Sequence, residues 1–500
     1  MRITDTNKPT IADTRYGAVE GFAEDKVLMW FGIPYAKPPV GALRFKRSVS
    51  PEPWSGVKPC MEMGASPFQF GAGGIMSKLI KNAHPISEDC LTLNIWAPQD
   101  AQEAPVFIYI YGGANHLGES STPSYSLHSF PKQGIIGVSF NYRVGPLGFY
   151  DFSRLDSSFD SNCAPSDMIL AVRWVKENIE AFGGDPDNIT ICGESAGGSA
   201  VYTLLTAPSA HGTFNKAIAM SGLAGNVTTY RTHELNNSIF FDKLGIKPDE
   251  AAKLKAMPAA QMREAGSAVF TDSNVRYPGI FITGPVIDDL VPQHPWEALA
   301  DGKAADIPCI FGSCRDEGTL FYMSNDIPKS WDKAEEMLRN SGCPEKLPAL
   351  RQAYADTKGK KALKKLGGDR LFWADSIKCT LAQCAHSTVY SYRFDYAPAL
   401  LRLIGLGASH GSDIGPALNT QSVFGGGKKR SEKAEKVYQV THNAFVNFAK
   451  TGDPNGGLPI KWEPYDEKKR ATFIINAECS VEYDPNRKRF EAWKDLKLYE

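Results

Sequence analysis

Along the chain, short apolar runs alternate with longer segments of helical period. Val106 to Tyr111 (VFIYIY) and Ile135 to Tyr142 (IIGVSFNY) are rich in β-branched and aromatic residues. The first ends at Gly112-Gly113. Unbroken apolar runs of this length predict strands buried on both faces of a mostly parallel sheet. From Ser166 to Phe182 the period changes. Ile169, Val172, Trp174, Val175 and Ile179 fall on one broad helical face, and Gly183-Gly184 stops the helix. Asn188 to Cys192 predicts the next strand, followed after Ser195 by a helix that starts at once. Lys216–Met220, Pro308–Gly312 and Thr388–Phe394 predict further strands, and Val437–Lys450 an amphipathic helix. Strand and helix in this alternation specify an α/β fold with helices on both faces of the sheet. The stretches at about 60–85 and 228–385 break the rhythm with polar, helical, Pro-, Gly- and Lys-rich sequence. They are assigned to insertions forming a cap on one domain spanning 1–500, not to separate domains.

The 500-residue chain has a formal net charge of -1, which gives no reason to expect nucleic acid or an anionic membrane as partner. No segment approaches the roughly 18 uninterrupted apolar residues of a membrane span, so no stable membrane insertion is expected. The first residues, MRITDTNKPTIADTRYGAVEG, contain no signal-like apolar core, so a cytoplasmic location is expected; a trimmed secreted chain would begin similarly. Ten cysteines include no Cys-x-x-Cys pair and no Cys/His cluster at zinc spacing, so neither metal nor cofactor is expected. Cys192 and Cys309 lie in apolar runs and are expected to be buried thiols. Oligomeric state is open.

The candidate chemistry lies in Ile-Cys-Gly-Glu-Ser-Ala-Gly-Gly, residues 191–198. Gly193-x-Ser195-x-Gly197 follows a predicted strand and precedes a predicted helix, the context of a nucleophile elbow. The turn needs small residues on either side of the serine, and it leaves the hydroxyl at a helix N-terminus, where free N–H groups favour negative charge. Without that context the pattern is a Gly/Ser loop. A serine nucleophile also needs a base, an acid that orients the base, and donors for an oxyanion. In this arrangement the acid and then the base follow the serine along the chain. His442 lies inside a predicted helix, where surface packing explains it. His410 lies in the small-residue loop Gly407-Ala-Ser-His-Gly-Ser-Asp413, which leaves its ring room to reach the elbow. Cys314-Arg-Asp-Glu-Gly318 follows the strand Pro308–Gly312, so Asp316 and Glu317 stand at a strand's carboxyl end, where sites in open α/β sheets collect. Spacing does not choose between them. Tyr111-Gly-Gly-Ala-Asn115 follows Val106–Tyr111 and suits an oxyanion loop: the N–H groups of Gly113 and Ala114 would donate from it, with that of Ala196 from the residue after the serine.

With these residues in view the chain resembles a type-B carboxylesterase of the α/β-hydrolase fold. The resemblance rests on Phe31-Gly-Ile-Pro-Tyr-Ala-Lys-Pro-Pro-Val-Gly41 with Leu43-Arg-Phe45, and on Ser87-Glu-Asp-Cys-Leu-Thr-Leu-Asn-Ile-Trp96. Asn141-Tyr-Arg-Val-Gly-Pro-Leu-Gly-Phe149, Trp174-Val-x-x-Asn-Ile, Phe182-Gly-Gly-Asp-Pro-Asp-Asn-Ile-Thr190 and Phe448-Ala-Lys-Thr-Gly-Asp-Pro-Asn455 continue it. It implies cleavage of small-molecule carboxylic esters through an acyl-enzyme, without a cofactor. It implies Glu317 as the acid, because the family's acid is the glutamate of an Asp-Glu-Gly segment. It implies His410 as the base, in a His-Gly segment before Val423-Phe424-Gly425. Ser221 matches a serine the family keeps beside histidine and acid, and Glu194, directly before the nucleophile, is placed with it in support. The family pairs the cysteine of its Glu-Asp-Cys-Leu segment with an earlier one. Here Cys90 is present, the matching position is Phe68 and Cys60 lies elsewhere, so that disulfide is not expected, in keeping with a reducing compartment. Asn115 stands where the family usually has an aromatic residue, and His116 beside it is either a residue that touches substrate or, as expected here, a structural or surface histidine. Two rivals follow: a binding protein of the same fold that lost its triad, and a hydrolase of amides, carbamates or lactones.

Overall fold

The computed structural model describes residues 10–70, 84–277, 279, 283–324, 326–421 and 430–498. Parts of both stretches assigned to a cap, and Val423-Phe424-Gly425, lie outside the described residues. Fourteen strands are present among those described: β1 Ile11–Thr14, β2 Gly17–Glu20, β3 Phe22–Glu24, β4 Val27–Pro34, β5 Val57–Pro59, β6 Thr92–Pro98, β7 Ala104–Ile110, β8 Ile136–Phe140, β9 Gly184–Glu194, β10 Lys216–Met220, β11 Cys309–Cys314, β12 Val389–Phe394, β13 Ala471–Ile475 and β14 Ser480–Tyr483. β1, β2 and β5 form a small sheet. The other eleven form one large sheet in the order β14-β13-β12-β11-β10-β9-β7-β8-β6-β4-β3. From β8 to β13 every neighbouring pair is parallel, and the antiparallel pairs lie towards the two edges. Every residue of β8, β10, β11 and β13 is buried, as strands covered by helices on both faces must be.

The predicted elements are present with shifted ends. Lys216–Met220 is β10 residue for residue. The first predicted helix begins earlier, at Cys163, because Pro165 falls in the first turn, where a missing N–H costs nothing. It ends at Asn178, and its last predicted turn tightens into a 3-10 turn, Ile179–Phe182. β9 reaches back to Gly184 through Asp185–Asp187, because Gly184 pairs with Ala104 across an irregularity in β7. The late amphipathic helix runs Glu432–Thr451, with Ser431 accepting the Ala434 N–H as its N-cap. The sequence reading of His442 as a surface residue is corrected here. It is 4% exposed, Nδ1 is bonded to the carbonyl of Ala417 at 2.9 Å, and its ring meets Phe130 edge-on. The helix packs on the sheet, so its inward face is core. Between β10 and β12 the chain lays down β11, with helices Tyr230–Leu244 and Ala259–Arg276 before it and Trp331–Asn340, Lys360–Gly368 and Ala374–Cys384 after it.

Register aligns the carboxyl ends of the central strands. Gly193 in β9 pairs with Ile110 of β7 and Ala219 of β10, and Met220 pairs with both Glu194 and Gly312. The chain therefore leaves β7, β9, β10 and β11 at one edge of the sheet, and all four exits carry a candidate site residue. Among the described residues no helix is long and apolar enough to cross a membrane.

Candidate active site

Ser195 sits at φ 59°, ψ -123° between β9 and the helix Ala196–Thr206. A non-glycine residue in the left-handed half of the map is strained, and here the surroundings impose it. The Ser195 N–H is tied to the Met220 carbonyl at 3.0 Å. A Cβ on Gly193 would overlap the Gly197 carbonyl, and one on Gly197 the Ile110 carbonyl. Both flanking glycines are thus required by contact. From Ile189 to Ala207 every residue is buried except Ser195. The turn lifts this one side chain out of the core.

Glu317 lies just past β11 and is 3% exposed. Its Oε1 accepts from the Cys314 N–H at 2.6 Å and the Ser221 hydroxyl at 2.5 Å, and its Oε2 lies 2.7 Å from His410 Nδ1. Ser221 is the first residue after β10, at φ 47°. Asp316, the alternative that spacing left open, points elsewhere: Oδ2 accepts from Arg315 and from the Ala408 N–H at 3.0 Å. A proton on His410 Nδ1, donated to Glu317, leaves Nε2 of the neutral ring free to accept one. Phe372 stacks on the His410 ring with centroids 4.2 Å apart, and Phe321 meets it edge-on at 5.1 Å.

Two more carboxyl groups are buried beside these. Glu194 Oε1 is 3.3 Å from His410 Nε2, and Asp413 accepts the Tyr392 hydroxyl at 2.7 Å. Burial, with Asp413 and Glu317 nearby, lifts Glu194 to about 8 against the pull of His410. Burial lifts Asp413 to about 6. For His410 burial favours the neutral ring, but Glu194, Glu317 and Asp413 together outweigh it and raise the pKa to about 9. The Glu194 and His410 shifts depend on each other: a Glu194 with a pKa near 8 is largely neutral at pH 7 and then pulls His410 upward less. The direction that stands is upward for His410, by a smaller amount.

On the other side of the serine, Gly113, Ala114 and Asn115 take φ 132°, 54° and 61°, so the loop after β7 turns its backbone inward. The Gly113 carbonyl accepts the N–H groups of His116 and Leu117. Among the described residues no acceptor is present for the N–H groups of Gly113, Ala114 or Ala196. The loop is clamped from beneath: Tyr111 and Tyr142 stack at 4.4 Å, and the Tyr142 hydroxyl donates to the Tyr111 carbonyl at 2.7 Å. Asn115 is buried and donates to the Thr283 carbonyl at 2.8 Å. His116 is fully buried, is bonded to the Thr283 hydroxyl at 2.7 Å, and is pushed down to about 3 by desolvation. It is structural and not at the surface. Leu223, Phe270, Leu320, Phe321, Leu371 and Phe372 form a small apolar cluster of their own, against which Ala114 packs.

Ser221, Glu317, His410 and Glu194 are therefore gathered at the edge where Ser195 and the Gly113–Ala114 loop emerge. Sequence reading missed the aromatic pair on His410. Phe321 had a signal, four residues beyond Glu317 in the helix Gly318–Ser324. Phe372 had none, because it is carried by a short π-helical stretch, Asp369–Trp373, inside the irregular insertion. The ten cysteines are unpaired; Cys60 and Cys90 are both buried.

The large mixed sheet with helices on both sides is an α/β-hydrolase fold, and solved structures similar to this chain include esterases. A PNB esterase superposes with a TM-score of 0.87 at 31% identity, over 97% of this chain and 100% of that one. A Geobacillus stearothermophilus carboxylesterase does so at 0.82 and 33%, over 97% and 100%. The model of the carboxylesterase family matches residues 8–493. In sequence the chain is 35% identical to the para-nitrobenzyl esterase of Bacillus subtilis over 96% of this chain and 97% of that one. It is 30% identical to the phenmedipham hydrolase of Pseudarthrobacter oxydans over 94% and 95%. The chain belongs to the carboxylesterase family. It is a carboxylic ester hydrolase, and small-molecule esters are its substrate class.

Proposed function

We propose that Ser195, His410 and Glu317 form the catalytic triad of an acyl-enzyme esterase. The observation that carries this reading is the chain of contacts Ser221–Glu317–His410, fixed at Glu317 by a backbone N–H and ending at a His410 Nε2 with no hydrogen-bond partner among the described residues. Nε2 takes the Ser195 proton as Oγ attacks the ester carbonyl, and Glu317 stabilises the imidazolium that forms. The N–H groups of Gly113, Ala114 and Ala196 receive the oxyanion, aided by the N-terminus of the Ala196–Thr206 helix. His410 then returns the proton to the leaving alcohol and activates the water that releases the acid. The apolar cluster around Phe270, Phe321 and Phe372 receives the hydrophobic part of the substrate. The helical segments on either side of β11 serve as the cap over it.

The test is hydrolysis of p-nitrophenyl acetate, butyrate and octanoate by the protein and by Ser195→Ala. Turnover by the parent and a loss of at least about 10³-fold in the variant are expected, since the oxyanion donors and binding sustain only residual catalysis. Equal rates in both would assign the chemistry to another nucleophile.

A further inference from the structure

Behind the acid segment lies a cavity of about 510 Å³ that shares Glu317 with the chemistry above but is lined by neither Ser195 nor His410. One wall is the segment from Ser313 to Thr319, and a second is Leu406–Gly407 at the start of the His410 loop. The third is a face of the helix Lys360–Gly368, presenting Lys361, Lys364, Lys365 and Gly368 at helical spacing, while Ala362, Leu363, Leu366 and Gly367 turn into the protein. No residue of the elbow or of the Gly113 loop lines it.

The cavity is strongly cationic. Its carboxylates are Asp316, Glu317 and Asp369, and each is already engaged. Asp316 is held by Arg315 and Ala408, Glu317 by Ser221, Cys314 and His410, and Asp369 by Arg489 and the Tyr354 hydroxyl. Arg393 is paired with Asp395 and Glu482. Lys361, Lys364, Lys365 and Arg402 have no carboxylate within ion-pair distance among the described residues; Lys364 rests 5.6 Å over the Tyr322 ring. Desolvation, with Arg489 close by, holds the Lys365 ammonium below the usual lysine range despite Asp369 and Asp316. Like charges three and four residues apart on one helix repel. Gathering them at a concave wall, where the nearby carboxylates are already committed to other partners, leaves an excess of positive charge that a bound anion would offset.

We propose that this cavity binds a small organic anion carrying two or more negative groups, phosphate or carboxylate, held by Lys361, Lys364, Lys365 and Arg402. The volume lies in the range of small-molecule sites and exceeds what a single phosphate fills. Trp373 and Leu406 supply apolar surface for the body of such a molecule. Its rim is also where the acid segment and the histidine loop are joined. Asp316 N–H donates to the Ala408 carbonyl at 2.9 Å, and the Thr319 hydroxyl to the Leu406 carbonyl at 2.8 Å. The inference concerns binding and holds whichever residues perform hydrolysis.

The test is isothermal titration calorimetry of the full chain with inorganic pyrophosphate and with citrate, at ionic strength fixed with sodium chloride. The same titrations are run on the triple variant Lys361→Gln, Lys364→Gln, Lys365→Gln. Saturable binding of either anion is expected, weakened at least tenfold in the variant. Pyrophosphate alone would identify phosphate chemistry and citrate alone polycarboxylate chemistry. The absence of saturable heat with both, or equal affinity in parent and variant, would overturn the proposal. Should the triple variant unfold early, Arg402→Gln and Lys361→Gln, on separate segments, give the same comparison.

Discussion

Replacing Glu194 by glutamine tests the electrostatics of the site most directly. The change keeps the shape and removes a charge centred 3.3 Å from His410 Nε2. At that distance and an effective dielectric of about 20, a full ion pair is worth about 5 kcal/mol, which caps the shift in His410 at between about 3 and 4 pH units. Glu194 is itself raised to about 8, so its charge develops only as the solution becomes alkaline, and part of that ceiling is felt. A downward shift of about 1–2 units is expected, in the range measured for neighbouring opposite charges. The sign follows from the general-base role proposed for His410. A general base works when neutral, so a raised His410 pKa moves the acid limb of kcat/KM above the ordinary histidine value, and Glu194→Gln moves it back down. The assay is kcat/KM for p-nitrophenyl butyrate from pH 5 to 9, corrected for spontaneous hydrolysis; this parameter reports groups of the free enzyme. A limb that stays in place, or moves to higher pH, would refute the reasoning. The first result would mean that Glu194 is uncharged throughout, and the second that burial dominates His410.

Three further outcomes are expected. Ser221→Ala removes the 2.5 Å hydrogen bond to Glu317 and should cost about 1.5–3 kcal/mol of transition-state stabilisation, read as a fall in kcat of about 10–150-fold with KM little changed. Asp167→Ala leaves the fully buried Arg143 without its bidentate partner and should lower unfolding free energy by about 3–5 kcal/mol in urea titration. Gly197→Ala forces a Cβ against the Ile110 carbonyl and should destabilise by about 2–3 kcal/mol, seen as a lower Tm together with loss of esterase activity.

The periodicity of the chain determined the parallel centre of the sheet, because strands covered on both faces must be apolar throughout. Lys216–Met220 could be read to the residue. The Gly193-x-Ser195-x-Gly197 elbow was equally legible, since contact permits only glycine at the two flanking positions. Element ends were less legible, because pairing partners decide them: Gly184 joins β9 through Ala104 of β7, which local sequence cannot announce. The same limit applied to the site. Spacing placed Asp316 and Glu317 together after β11, and only the tertiary structure turned one towards His410 and the other towards Ala408. It alone brought Phe372 onto the His410 ring, buried Asn115 and His116 against Thr283, and set Glu194 against His410 Nε2. A sequence specifies which groups a segment carries and how far apart they lie along the chain. The direction each side chain takes, and the charge it then feels, depends on segments hundreds of residues away that the sheet register brings to the same edge.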